Sequence, residues 1–151
     1  MSERSVGDLM NPNVVCLEPD TTVREAEALF GERGISGAPV VDDSGQPVGV
    51  LSQHDLIRHQ ADRATAGDTG RFYSDVEEYR DLASAPVDLS TTPVSRLMSR
   101  ELLTVERDAP VALAARRMRE RRVHRLLVVH GGALVGIVSS LDLLGLVAEP
   151  G

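Results

Sequence analysis

The sequence predicts a mixed α/β (α+β) fold: two β-α-β-β-α units related by a pseudo-two-fold and packed sheet to sheet. Three observations carry that reading. First, Gly49-Val50-Leu51-Ser52-Gln53-His54-Asp55 and Gly136-Ile137-Val138-Ser139-Ser140-Leu141-Asp142 are variants of one heptad, 87 residues apart. Second, the match extends upstream at a shift of 88: Val6-Gly7-Asp8-Leu9-Met10 answers Val94-Ser95-Arg96-Leu97-Met98, and Pro39-Val40-Val41 answers Leu127-Val128-Val129. Third, the shift changes inside a polar turn, where Asp42-Asp43-Ser44-Gly45-Gln46 faces His130-Gly131-Gly132-Ala133. A repeat tolerates a deletion in such a turn, and an internal repeat fixes the architecture before any other signal is weighed.

The elements follow in order. Residues 14–17 form an extended apolar run, read as a short first strand. Thr22 and Glu25 have capping-box spacing. Val23, Ala26, Leu29 and Phe30 share one helical face. Gly34 is placed to end that helix. Residues 38–41 and 48–51 are apolar strands joined by an Asp/Ser/Gly turn, which reads as a β-hairpin. A second helix runs from Ser52 to about His59. The second copy gives the same order. Residues 102–105 are the first strand, and Asp108 and Pro110 mark the helix start. Val111, Ala114, Ala115 and Met118 line the inner helix face. Residues 125–129 and 134–138 make the hairpin, and a closing helix runs from Ser139 to about Val147. One such unit is too small to bury a core alone, whereas two packed face to face suffice.

The repeats occupy residues 5–59 and 93–148, with a linker over 60–92 that does not repeat. Residues 64–70 read as a polar loop, and 72–82 as a short helix. The linker holds Phe72, Tyr73 and Tyr79, three of the four aromatics in the chain. Aromatic rings carry large apolar areas that water disfavours, so the segment is expected to pack: against its own repeats, in a dimer contact, or as a lid over a ligand cleft.

With 151 residues and 42% hydrophobic residues, the chain is long enough for one compact body or two halves sharing a core. No apolar run approaches the roughly 20 residues of a membrane span, and no signal-peptide h-region follows the N-terminus. Cys16 is the single cysteine, which excludes an internal disulfide and points to the cytoplasm. Its expected place is a buried strand position, the reactive-thiol alternative being the lesser one. Net charge is −7, which argues against non-specific nucleic-acid binding. Six arginines crowd residues 116–125. They read as a solvated helix face with one or two phosphate ligands, or as a surface for an acidic partner.

The duplicated unit, ending each time in Gly-apolar-apolar-Ser-x-x-Asp after a Val-x-x-x-Met lead-in segment, resembles the cystathionine-β-synthase-type (CBS) domain. A tandem pair of these is called a Bateman module. The resemblance implies an adenine-containing ligand, of the AMP, ADP, ATP or S-adenosylmethionine class, held in clefts between the repeats. Carried over, the ribose residues are Ser52 and Asp55 in the first repeat and Ser139 and Asp142 in the second. The chemistry fits: an ionised Asp accepts both O–H groups of a vicinal diol, and Ser donates or accepts beside it. Ser-x-x-Asp is also a plain helix-capping pair. Capping does not require Gly49 and Gly136, however, and those glycines suggest close approach of a backbone or ligand.

His124-Arg125-Leu126, leading into the second hairpin, resembles the γ subunits of AMP-activated protein kinases. By that resemblance the basic residues Arg125 and His124 are the phosphate-binding ones: Arg125 pairs with the phosphate, and His124 faces the interface between clefts. A planar guanidinium meets phosphate oxygens bidentately. The first repeat has Ser36 and Gly37 at these positions, so the Asp142 site is expected to be the better nucleotide site, and the Asp55 site to be empty, weak, or suited to a less anionic ligand.

No catalytic set is found. His54 and His59 are five apart, off the spacing that bridges a metal on a helix, and neither a nucleophile elbow nor a phosphate-binding loop is present. The expectation is a regulatory module, not an enzyme, with no required cofactor or metal and an adenosine-containing small molecule as regulatory ligand. A homodimer is expected, with a regulated protein partner and without membrane or nucleic acid. Leu29, Phe30, Met118, Leu143, Leu144 and Leu146 are candidates for the dimer seam or for core. The alternative is a structural dimerisation module without a physiological ligand.

Overall fold

A computed structural model describes residues 4–56, 71–74 and 91–148. The expected loop at 64–70, Tyr79 with the rest of the linker helix, and the end of the first closing helix lie outside the described residues. The elements are α1 (Val6–Leu9), α2 (Val23–Arg33), β1 (Gly37–Val41), β2 (Pro47–Ser52), α3 (Arg71–Ser74), β3 (Thr104–Glu106), α4 (Val111–Arg121), β4 (Arg125–His130), β5 (Ala133–Ser139) and α5 (Ser140–Ala148). Residues 53–56 are also helical, and Val94–Arg96 form one 3₁₀ turn. The expected mixture of helices and small sheets is present.

The chain divides into two compact units that do not coincide with the sequence repeats. One joins the residues up to Val14 with those from Leu103 onward, and the other runs from Val15 to Leu102. Each lead-in segment therefore packs on the repeat it does not precede. In the first of these units Val6 N donates to Ala109 O at 2.9 Å, and Gly7 N to Arg107 O at 2.8 Å. Asn11 and Ile137 exchange two backbone bonds of 2.8 and 3.0 Å. In the other unit Val94 N donates to Thr21 O at 2.7 Å, Ser95 N to Pro19 O at 3.3 Å, and Val50 and Ser99 exchange bonds of 2.9 and 2.8 Å. Allowing for the offset, these are the same bonds made twice.

The exchange accounts for the two heptad glycines. A Cβ at Gly49 would lie 2.6 Å from Met98 Sδ and 2.7 Å from Ser99 O. At Gly136 it would lie 2.6 Å from Met10 Sδ and 2.9 Å from Asn11 O. The close approach expected from sequence is that of the lead-in backbone and its methionine.

The Val15–Leu102 unit holds a two-stranded antiparallel sheet, β1-β2, and the other a three-stranded sheet, β3-β4-β5. Both hairpins carry a register shift at matching places, Val40/Val41 and Val128/Val129. The expected first strand of the first repeat is reduced to one parallel bridge, Leu17 to Val40. The reason is proline. In the second repeat Leu127 N donates to Leu103 O at 3.0 Å, and Arg107 N to Val129 O at 2.9 Å. Pro39 and Pro19 stand at the equivalent positions of the first repeat and have no N–H to extend the ladder.

The helix caps follow the sequence. Thr22 Oγ1 accepts from Glu25 N at 3.1 Å, and Glu25 Oε1 accepts from Thr22 N at 2.9 Å, closing the capping box. Gly34 ends α2 at φ 64°. At the matching position after α4, Arg122 takes φ 56°, which costs a non-glycine residue about 1 kcal/mol. Phe30 and Met118, offered as seam candidates, are core at 1% and 5% exposure. Leu17, Val23, Ala26, Phe30, Val40 and Leu51 pack with Val94 and Met98 from the lead-in segment. Val6 is as fully buried in its own unit. Cys16 is exposed rather than a buried strand residue, because no ladder continues through it. Partial desolvation pushes its thiol pKa up, away from an activated thiolate.

Candidate functional site

Each heptad ends a hairpin strand and begins a helix, and the site is built on that junction. In the second repeat Ser139 N donates to Asp142 Oδ2 at 2.8 Å, and Asp142 N to Ser139 Oγ at 3.2 Å. In the first, Ser52 N donates to Asp55 Oδ2 at 2.9 Å, and Asp55 N to Ser52 Oγ at 3.1 Å. Both pairs are reciprocal capping boxes. The capping reading is thus correct in both copies, and it also holds each carboxylate in a fixed rotamer. Each capping bond to an Asp side chain uses Oδ2. Asp142 is half-buried, and among the described residues no hydrogen bond reaches its Oδ1. Ser52 and Asp55 are buried, at 4% and 6% exposure.

Strand register brings the expected phosphate residue beside the expected ribose residues. Arg125 stands directly opposite Ser139 across β4-β5, and Gly37 opposite Ser52 across β1-β2. Arg125 is buried and His124 exposed. The His124 carbonyl accepts from Ser140 N at 2.8 Å, as the Ser36 carbonyl accepts from Gln53 N at 2.7 Å. Arg125, Ser139 and Asp142 therefore gather at one hairpin mouth. In the first repeat Ser52 and Asp55 gather with Gly37, without a cation at that position.

The rest of the arginine cluster is mixed. Arg116, Arg119, Arg121 and Arg122 are exposed, while Arg117 is half-buried and donates to Thr104 O, tying α4 to β3. Sequence reasoning left three placements open for the linker aromatics: against the chain's own repeats, in a dimer contact, or as a lid. Phe72 and Tyr73 are buried at 2% and 0% exposure, the ring of Phe72 lies against Gly37, and Tyr73 OH donates to Glu101 O at 2.8 Å. Of the alternatives open from sequence, these two residues pack within the Val15–Leu102 unit, on Gly37 and Glu101. The pairing of a bare glycine with an arginine at matching repeat positions is the one sequence signal that something else fills that space.

Among the described residues, no three His, Cys, Asp or Glu side chains are grouped to hold a metal, and no helix is long and apolar enough to cross a membrane.

The CBS domain family matches residues 6–62 and 94–149, so the chain belongs to that family and carries two CBS domains in tandem, a Bateman module. It is 31% identical over 139 residues to the CBS domain-containing protein YhcV of Bacillus subtilis, covering 92% of this chain and 82% of YhcV. It is 30% identical over 142 residues to CBSX2, a chloroplastic CBS domain-containing protein of Arabidopsis thaliana, covering 89% of this chain and 60% of CBSX2. A crystal structure of CBSX2 in complex with AMP matches with a TM-score of 0.69 and 28% identity, covering 95% of both chains. A CBS domain-containing protein from Kribbella flavida matches with a TM-score of 0.74 and 25% identity, covering 98% of this chain and all of the other. The chain spans 33% to 60% of the length of several curated relatives it matches.

Proposed function

We propose that this chain is a regulatory sensor that binds an adenine nucleotide of the AMP class at the second-repeat site. Asp142 and Ser139 take the ribose hydroxyls, Arg125 the phosphate, and His124 lies at the rim. The observation that carries this reading is the register pairing of Arg125 with Ser139, one capping turn from Asp142. It brings a cation, a hydroxyl and a half-buried carboxylate to one hairpin mouth. The capping box spends one carboxylate oxygen and leaves Oδ1 for a diol. The structure of CBSX2 with AMP supports the ligand class. Occupancy signals by conformational or assembly change, which requires the ligand to favour one state energetically. The protein acts as a non-catalytic regulator, in the cytoplasm, with a regulated protein as its downstream partner.

The test is thermal stability against AMP, ATP and S-adenosylmethionine. A ligand at about 100 times its dissociation constant adds about 2.7 kcal/mol to the folded state. Asp142→Ala is expected to abolish that shift and Asp55→Ala to leave most of it. An AMP response unchanged in Asp142→Ala would sink the assignment.

One observation favours the structural alternative, dimerisation without a ligand. Leu141, Leu144 and Val147 form a stripe on α5 at 72%, 58% and 83% exposure. No response to any adenine compound, together with self-association lost in Leu144→Glu by sedimentation, would favour it over the sensor.

A further inference from the structure

Gly37 and Arg125 are equivalent: each is the first residue of its hairpin and stands opposite the heptad serine. A Cβ at Gly37 would lie 2.9 Å from Phe72 Cδ1, 2.9 Å from Leu51 O and 3.4 Å from Ser52 Cα. Phe72 is buried, and its neighbour Tyr73 is anchored to the Glu101 carbonyl. A linker ring therefore stands where, in the second repeat, the arginine side chain begins.

We propose that Phe72 is the specificity-determining residue of the first repeat. Its ring stands against the counterpart of the Arg125 position and closes Ser52 and Asp55 to a nucleoside, and the absence of a cation at Gly37 disfavours a phosphate-bearing one even when the ring is removed. The chain then takes one anionic adenine nucleotide, at Ser139 and Asp142. This rests on the adenine-ligand reading above. With the ring gone, a phosphate beside Gly37 loses water without gaining a charge-assisted bond, whereas an uncharged nucleoside carries no such group. Removing the ring opens the first repeat to adenosine, and only an added cation admits AMP there.

Equilibrium dialysis of the full chain with adenosine and with AMP tests this. The wild type is expected to bind one AMP per chain, lost in Asp142→Ala. Phe72→Ala is expected to gain a second, Asp55-dependent adenosine site at which AMP binds at least tenfold more weakly. Adding Gly37→Arg to Phe72→Ala is expected to reverse that preference. Phe72→Val keeps a buried apolar side chain and serves if the alanine variant does not fold. One adenosine per chain in the folded Phe72 variant, or two AMP per wild-type chain, would overturn the proposal. A ligand-free measurement separates the two readings: Gly37→Ala is expected to lower Tm more with Phe72 present than in Phe72→Ala. Equal shifts overturn the Phe72 proposal alone. Absence of any adenine binding by the wild type overturns the parent reading and this one with it.

Discussion

In the second repeat, Leu127 and Arg107 donate backbone N–H groups to Leu103 and Val129; in the first, Pro39 and Pro19 stand in the same places and donate nothing. The first copy has one bridge where the second has a three-residue strand. The helices differ in the opposite sense. The first has a closed capping box and a glycine at its left-handed end. The second has Pro110 without a side-chain cap and Arg122 in the left-handed conformation. At the sites, the first copy buries its Ser-Asp pair beside Gly37 and Phe72, and the second leaves its Asp half-buried beside Arg125. The lesson is that the two copies keep identical backbone bonding to the lead-in segments while their site chemistry diverges. The shared scaffold does not constrain what each mouth presents.

The largest expected effects test the two cores. Phe30→Ala is expected to cost about 3–5 kcal/mol, and its counterpart Met118→Ala about 2–5 kcal/mol, toward the lower end because methionine sites adapt. Urea titration measures both, and a costlier Met118→Ala would break the ranking. Next in size is the exchange itself. Gly49→Ala and Gly136→Ala are each expected to cost about 1–3 kcal/mol through overpacking. Met98→Ala is expected to relieve part of the Gly49→Ala loss and none of the Gly136→Ala loss, with Met10→Ala doing the reverse. Relief in the other pairing would refute the exchange.

The smallest effect sharpens the cap comparison. Thr22→Ala is expected to cost about 1 kcal/mol. The Glu25 carboxyl lies below its ordinary value of 4.5, first through the backbone Thr22 hydrogen bond and then through the Thr22 hydroxyl. A depressed folded-state pKa contributes stability above the unfolded value, and that contribution is lost as pH falls through the folded one. Acid titration of stability below about pH 4.5 is therefore expected to be flatter in Thr22→Ala. Identical acid limbs would remove the Thr22 hydroxyl, though not the backbone N–H of residue 22, from the account of Glu25.

The sequence by itself determines the duplication, both hairpins, the capping boxes at Thr22, Ser52 and Ser139, and the lining-up of Arg125 with Gly37. All of these rest on spacings of a few residues, where hydrogen bonds and hydrophobic periodicity act along the chain. The family resemblance follows from the same local pattern and supplies the ligand class. Tertiary structure alone decides that the Met10 segment covers Gly136 while the Met98 segment covers Gly49, and that Phe72 stands on Gly37. Local patterning gives each lead-in the same motif and each hairpin the same glycine. Which pairs with which depends on closing the chain over long separations, and no short-range rule encodes that choice.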